Sequence, residues 1–300
     1  MAHLVIEKMR EFAKAGQPWS LVASFWGPHH PYFPSEPYAA MVNPESIPEY
    51  PTYRDDLETK PFRYLLHRDM TFGDPTVWPD WSHWQTALAR AYGQGYQTDA
   101  AVGTILDALD DLGLADNTIV MWCSDHGDAI ASHGGVWDKA CTFAEEVGRI
   151  PMAIRWPERF EGGKTTEDLV SNMDITATML EAAGVIVPPS MHSRSMLPVC
   201  MDPDGAHWPR HLVCEHYGHT ADRIIQRIIV QGRYKYMAAL YDGDELYDLE
   251  ADPFETKNLI ESEEHTEVKT ELRMRLVEHI ETTKDPQGAK IAYALIQGRS

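Results

Sequence analysis

The sequence is short of cysteine, of long apolar runs and of positive charge, and each shortage excludes something. Its four cysteines, Cys123, Cys141, Cys200 and Cys214, fall at wide and irregular spacings, unlike the dense pattern that staples a small secreted domain. They leave the compartment undecided. No stretch approaches the ~20 consecutive apolar residues that a membrane helix needs, and the opening MAHLVIEKMREFAKAGQPW has no uninterrupted apolar core of an export signal. As written, the chain is expected to be soluble, with no signal peptide and no membrane partner. Lys and Arg number 26 against 46 Asp and Glu, a formal charge of −20. A nucleic-acid partner is therefore not expected, because phosphate backbones are bound through clustered cations.

What is present is enough chain for one large core and a smaller satellite: 300 residues, 43% hydrophobic and 10% aromatic. Val5, Met9 and Phe12 recur at helical spacing before Gly16, which predicts a short amphipathic helix closed by a glycine cap. Trp19 to Phe25 reads as a buried strand running into Gly27-Pro28-His29-His30-Pro31. Residues 33 to 82, rich in Pro, Tyr and Trp without a sustained period, read as a long surface excursion. A helix follows from Gln85 to Gly113, with Val102, Leu106 and Leu109 on one face. Thr118 to Cys123 is a continuous apolar, β-branched run that fits a strand buried on both faces of a sheet. Ile150 to Trp156 is a second strand, and Asp174 to Gly184 a helix with Asp174 as its N-cap.

After the Pro- and Met-rich stretch near residues 188 to 207 the pattern changes. Ile224 to Asp248 reads as a meander of antiparallel strands on tight turns, followed by a helix from Thr266 to Thr283. The fold class expected is α/β, a mixed β-sheet flanked by helices over residues 1–204, with a small C-terminal antiparallel α+β domain over 205–300.

The sharpest chemical feature is Cys123-Ser124-Asp125-His126-Gly127-Asp128 at a predicted strand end, where ligands collect in open α/β sheets. A bend there can point the Asp125 carboxylate and the His126 imidazole at one cation; a solvated turn is the alternative. Lys139 follows after a loop containing His133-Gly134-Gly135. An ammonium that close to a metal makes sense if an anion bridges them, whereas alone it reads as a surface lysine. Two prolines around His29 and His30 would hold that backbone extended and present an imidazole at fixed geometry, or simply make a rigid loop. Cys214-Glu-His216-Tyr-Gly-His219 carries zinc-ligand types without a fourth ligand. Trp78, Trp81 and Trp84 read as packing residues rather than as a sugar platform.

Taken in order, these pieces resemble the sulfatase family of the alkaline phosphatase superfamily, through nearly the whole chain. The His-Pro loop, the helix ending Leu-Asp-Asp-Leu-Gly-Leu-Ala-Asp-Asn, the strand into Ser-Asp-His-Gly and Lys139 followed by Phe143-Ala-Glu-Glu all match, as do Val170 to Gly184 and Glu245 to Leu259. The resemblance implies an alkaline phosphatase-like fold and a sulfuric ester hydrolase acting on a small-molecule sulfate ester or a sulfated sugar. It also implies that Asp125 and His126 ligate a divalent cation, most often Ca2+ in this family. Lys139 would bind a sulfate oxygen, and His29 would contact the sulfate or the leaving oxygen.

The family's Cys/Ser-x-Pro-Ser-Arg signature, whose first residue becomes the formylglycine nucleophile, is not in these residues, nor is an early strand ending in two aspartates. No nucleophile is assigned. The chain reads as the C-terminal two-thirds of a sulfatase, with the nucleophile expected upstream. Alternatives are a phosphonate or phosphate ester hydrolase of the same superfamily, or a non-catalytic remnant. Which ester is cleaved and the oligomeric state are not legible.

Overall fold

The computed structural model describes residues 1–72, 80–139, 142–218 and 224–298. Its elements are α1 (Ala2–Ala15), α2 (Phe62–Phe72), α3 (Trp81–Asp111), β1 (Val120–Cys123), α4 (Ser132–Gly135), α5 (Glu145–Gly148), β2 (Met152–Arg155), α6 (Asp174–Ala182), α7 (Leu197–Met201), β3 (His211–His216), β4 (Ile225–Gln231), β5 (Tyr234–Leu240), β6 (Glu245–Asp248), α8 (Thr266–Thr283) and α9 (Ala289–Ile296). β1 pairs with β2, and β3 to β6 form a four-stranded sheet in sequential order. The expected α/β architecture, strands flanked by helices, is the one observed. No helix among the described residues is long and apolar enough to cross a membrane.

The chain divides into two units, both discontinuous in sequence. The first comprises Met1–Glu49, Pro79–Met121 and Ile154–Gly163. In it α1 buries Val5 and Met9 against Leu109 of α3, with Trp19, Leu21 and Val120 packed around them. Gly16 ends α1 with φ 64°, its N–H donating to the Phe12 carbonyl, the left-handed cap that the sequence pattern called for. The predicted strand from Trp19 to Phe25 is not formed: these residues have no ladder partner among the described residues. Trp19 and Leu21 still turn inward, while Val22 is 79% exposed. An apolar run becomes a strand only when a neighbour satisfies its N–H and C=O groups.

The second unit comprises Tyr50–Trp78, Trp122–Ala153 and Lys164–Ser300. Its sheet is antiparallel throughout, and the register aligns Val213, Ile229, Tyr236 and Leu246 in one row. That row packs on Leu272, Leu276 and Ile280 of α8 and Ile291 of α9. α8 begins and ends where its apolar spacing predicts; α9 and β3 are additions to the sequence reading. The opposite face carries Ile228, Met237 and Tyr247, covered by Phe143.

Two further expectations do not hold. β1 is not buried on both faces, since Trp122 is 45% exposed; β2 is the strand it pairs with. Asp174 is not a cap for its own helix. Its carboxylate, buried, accepts the N–H groups of Ser171 and Arg194 at 2.9 and 2.8 Å, and so joins two loops.

Arg227 in β4 is fully buried, and Asp285 between α8 and α9 accepts its Nε and Nη2 at 2.6 and 2.9 Å. Asp285 also accepts the N–H groups of Gln287 and Gly288. Burial pushes the Asp285 carboxyl up, but the guanidinium and these N–H groups outweigh it and hold it below the ordinary 3.8. Its contribution is therefore present above that value and is lost as pH falls through the depressed one. Asp285→Ala strands a buried cation and is expected to cost about 3–5 kcal/mol, read as a shift in the urea midpoint at pH 7.

Candidate functional site

β1 ends at Cys123, and the chain turns at once. The Asp125 Oδ1 atom accepts the N–H of His126 at 3.0 Å, and Ser124 Oγ donates to the His126 carbonyl at 2.6 Å. His126 Nδ1 lies 2.8 Å from the Gly127 carbonyl. A carbonyl only accepts, so Nδ1 carries a proton and Nε2 is the nitrogen turned outward toward Asp125, the arrangement usual in a metal-binding imidazole. Nε2 stands 3.6 Å from Asp125 Oδ2. That gap is what two adjacent ligands span across a cation held at about 2.3–2.6 Å.

Burial raises the Asp125 carboxyl, yet the neighbouring His126 and the hydrogen bonds to the carboxylate hold it below its usual range. It is thus ionised, and its side chain is 85% exposed. The residues fit a hard divalent cation, but one carboxylate and one imidazole are only part of the six to eight donors that calcium takes.

The loop that follows is folded back on itself. Gly127 N–H donates to the Val147 carbonyl at 2.9 Å, Ala129 N–H to Asp138 and Ala131 N–H to Val136, both at 3.0 Å. This ladder returns the chain so that Lys139 follows directly on the residue paired with Ala129. The Lys139 Nζ atom is 3.1 Å from Asp138 Oδ1, with the side chain mostly buried. From the far side, Asn172 Nδ2 donates to the Asp125 carbonyl at 3.4 Å.

His29 belongs to the first unit. Its backbone N–H donates to the Trp26 carbonyl at 3.2 Å, so the His-Pro segment is a closed turn rather than the extended loop expected. Its Nδ1 lies 2.5 Å from the His30 carbonyl, so that contact engages Nδ1 and not Nε2. The rings of Trp26 and His30 flank it at 4.9 and 4.3 Å.

The remaining candidates resolve as structural. Burial raises the thiols of Cys123, with Asp125 adding to it, and of Cys200; it pushes Cys214 up to about 11. None of these three is an activated nucleophile. Cys214 packs beside Ile228, Met237 and Tyr247 on the sheet face turned away from α8, which removes it from the zinc reading; His219, Cys141 and Trp78 lie outside the described residues. Trp84 is 4% exposed, and Trp81 Nε1 donates to the Ile47 carbonyl, so both are packing residues. Sequence reasoning missed Asn172 and also His133, which stands out in the sequence only as a single ionisable residue in a run of small and apolar ones.

Gly127 is the tightest point. A Cβ there would lie 1.8 Å from the Glu146 carbonyl oxygen, a backbone atom that cannot swing aside. Gly127→Ala is expected to lower stability by about 1–3 kcal/mol, whereas Asp125→Ala, at an exposed carboxylate, is expected to change it by less than about 0.5 kcal/mol. Urea denaturation of the two variants side by side checks the contrast.

Comparison with known proteins bears on the family and the fold. A family profile described as Sulfatase matches residues 2–185, and one described as N-sulphoglucosamine sulphohydrolase, C-terminal, matches residues 132–282. The chain is 31% identical over 194 residues to the N-acetylglucosamine-6-O-sulfatase of Bacteroides thetaiotaomicron, covering 62% of this chain and 34% of that protein. It is 30% identical over 257 residues to the choline-sulfatase of Rhizobium meliloti, covering 82% and 47%. A solved structure described as in complex with its substrate D-glucosamine-2-N,6-O-disulfate superposes with a TM-score of 0.81 at 23% identity, over 95% of this chain and 70% of that one. The phosphonate monoester hydrolase of Silicibacter pomeroyi gives 0.81 at 19% identity, over 94% and 59%. At such identities the structural likeness establishes the fold, that of alkaline phosphatase-like sulfatases. The chain spans about a third to a half of the length of these two curated relatives.

Proposed function

The chain belongs to the sulfatase family, and we propose that it contributes part of the active site of a metal-dependent hydrolase of sulfate esters. The observation that carries this reading is the Asp125–His126 pair, with Nδ1 pinned by the Gly127 carbonyl and Nε2 set 3.6 Å from the carboxylate. A divalent cation, calcium by family resemblance, would supply positive charge against the sulfuryl oxygens. Asp125 and His126 would hold it. Lys139 would donate to an anionic oxygen of the same group, fixing its orientation as well as offsetting its charge. His29 would act through Nε2, handing a proton to the leaving oxygen when the ring is charged. The nucleophile, of formylglycine type, would come from protein outside these residues, in keeping with the share of its relatives' length that the chain spans.

A sulfated amino sugar is the favoured substrate class. Its support is the name of one relative, N-acetylglucosamine-6-O-sulfatase, and the substrate bound in one structural neighbour, a glucosamine disulfate. Phosphonate monoester hydrolases among the structural neighbours favour a second reading, a hydrolase of phosphonate or phosphate esters built on the same site.

In the active protein, Asp125→Ala and Lys139→Ala are each expected to lower kcat/KM for a sulfate ester by about 10²–10³-fold. Chelation should abolish turnover and added calcium restore it. Parallel rates on matched sulfate and phosphonate monoesters choose between the two readings. Full activity after Asp125→Ala would remove the metal assignment.

A further inference from the structure

Midway along the loop between Asp125 and Lys139 stands His133. Its side chain is 0% exposed, with Nδ1 3.6 Å from Asp55 Oδ2 and Nε2 3.4 Å from Glu146 Oε2. Its backbone is left-handed, φ 47° and ψ 61°, a conformation that costs a non-glycine residue about 1–3 kcal/mol and persists only where the surroundings impose it. They do so here. Gly134 N–H donates to the Thr52 carbonyl at 2.9 Å, and a Cβ on Gly134 would come within 2.7 Å of the Asp55 carbonyl. Glu146, on the other side of the ring, is the residue whose backbone oxygen meets Gly127. One imidazole therefore ties the loop both to the segment before α2 and to α5.

We propose that His133 is a positioning residue: held as an imidazolium between Asp55 and Glu146, it keeps the loop bearing Asp125, His126 and Lys139 in its ligand-presenting form and releases it when the proton leaves. The positioning role rests on the site assignment made under Proposed function; the clamp itself does not. Every charged group around the ring bears on the balance. Asp55 and Glu146 face its two nitrogens, and the ring of Tyr64 from α2 meets it edge-on at 5.5 Å. Lys60 stacks over Tyr64 and donates to the Glu255 carbonyl. Lys235 from β5 lies 3.0 Å from Glu145 and 2.9 Å from Glu255.

His133, Glu146 and Glu255 also lie close enough together to suggest a metal ion in place of the proton. The charges oppose it. Glu255 Oε2 already accepts the Glu145 N–H at 2.7 Å and Oε1 faces Lys235, so a dication would sit beside two buried ammonium groups. A proton serves both ring nitrogens and brings no further charge onto Glu255.

Burial works against the charged ring, but Asp55 and then Glu146 outweigh it and raise His133 above the ordinary 6.5, with Lys60 pulling the other way. The clamp is therefore complete below that value and is lost as pH rises through the raised one.

The test uses histidine-labelled protein and the amides of Gly127, Ala129 and Ala131, whose hydrogen bonds close the loop. Below pH 6.5 both His133 ring nitrogens should carry protons, and intrinsic-rate-corrected protection of the three amides should fall by up to about tenfold per pH unit between 6.5 and the raised His133 midpoint and level off above it. Glu146→Gln should move that midpoint to lower pH; His133→Gln should leave protection low and indifferent to pH. A His133 midpoint at or below 6.5, protection that does not track that midpoint, or stoichiometric zinc bound at His133 would overturn the proposal. Calcium titration separates the two levels. Active protein, with the residues that complete the site present, that binds no calcium at any pH refutes the site assignment and the positioning role with it. Calcium affinity that is present but unmoved by pH and by His133→Gln refutes the positioning role alone.

Discussion

The contact on which the proposed site depends is between two stretches of backbone, Gly127 against Glu146 and Val147. A hydrogen bond and the absence of a Cβ bring them closer than any side chain would permit. That contact sets where β1 stops and how the next residues bend. Because Gly127 is held, its carbonyl is in place to accept a hydrogen bond from the His126 Nδ1–H, and the imidazole is oriented before any ligand arrives. Preorganisation of this kind reduces the ordering that binding would otherwise require. Asp125 itself stays exposed, which suits a group meant to meet a cation.

Behind that loop lies a charged interior. The face of the C-terminal sheet turned away from α8 carries Lys235, Glu245 and Tyr247 together with Met237 and Ile228. Each charge has a partner: Glu145 and Glu255 for Lys235, and Arg63 for Glu245. Lys60 lies over the rings of Tyr64 and Tyr247 and donates to Tyr247 Oη at 2.8 Å, and burial pulls its ammonium down to about 8. Such pairs cost desolvation and contribute little net stability. Their partners must be placed accurately, however, and that requirement ties residues 55–64, 143–146 and 245–255 into one arrangement. His133 is anchored at its edge.

Much of the fold was legible. Helical spacing located α1, α3, α6 and α8, and apolar β-branched runs located β1 and β2, because these patterns report local burial. Trp19 to Phe25 has the composition of a strand but no ladder partner among the described residues, and composition says nothing about partners. Asp174 reads as a helix cap, yet its oxygens go to Ser171 and to Arg194, twenty residues away in the chain, where no local rule reaches. The candidate site was legible in part. Asp125 and His126 are neighbours in sequence and remain neighbours in space, whereas the pinning of His126 required Gly127 and Val147 to be brought together.

The order of several motifs along the chain was enough to identify the family and the residue types that would hold a cation and an anion. Tertiary structure alone decided which nitrogen of His126 faces outward, that Cys214 is a core thiol, and that His133 is a buried, left-handed residue between two carboxylates. The reason is physical: side-chain chemistry is written residue by residue, while desolvation and charge pairing arise between groups that meet only when the chain folds. Asp55, His133 and Glu146 are unremarkable at their places in the sequence, and only their convergence gives the imidazole a reason to keep its proton.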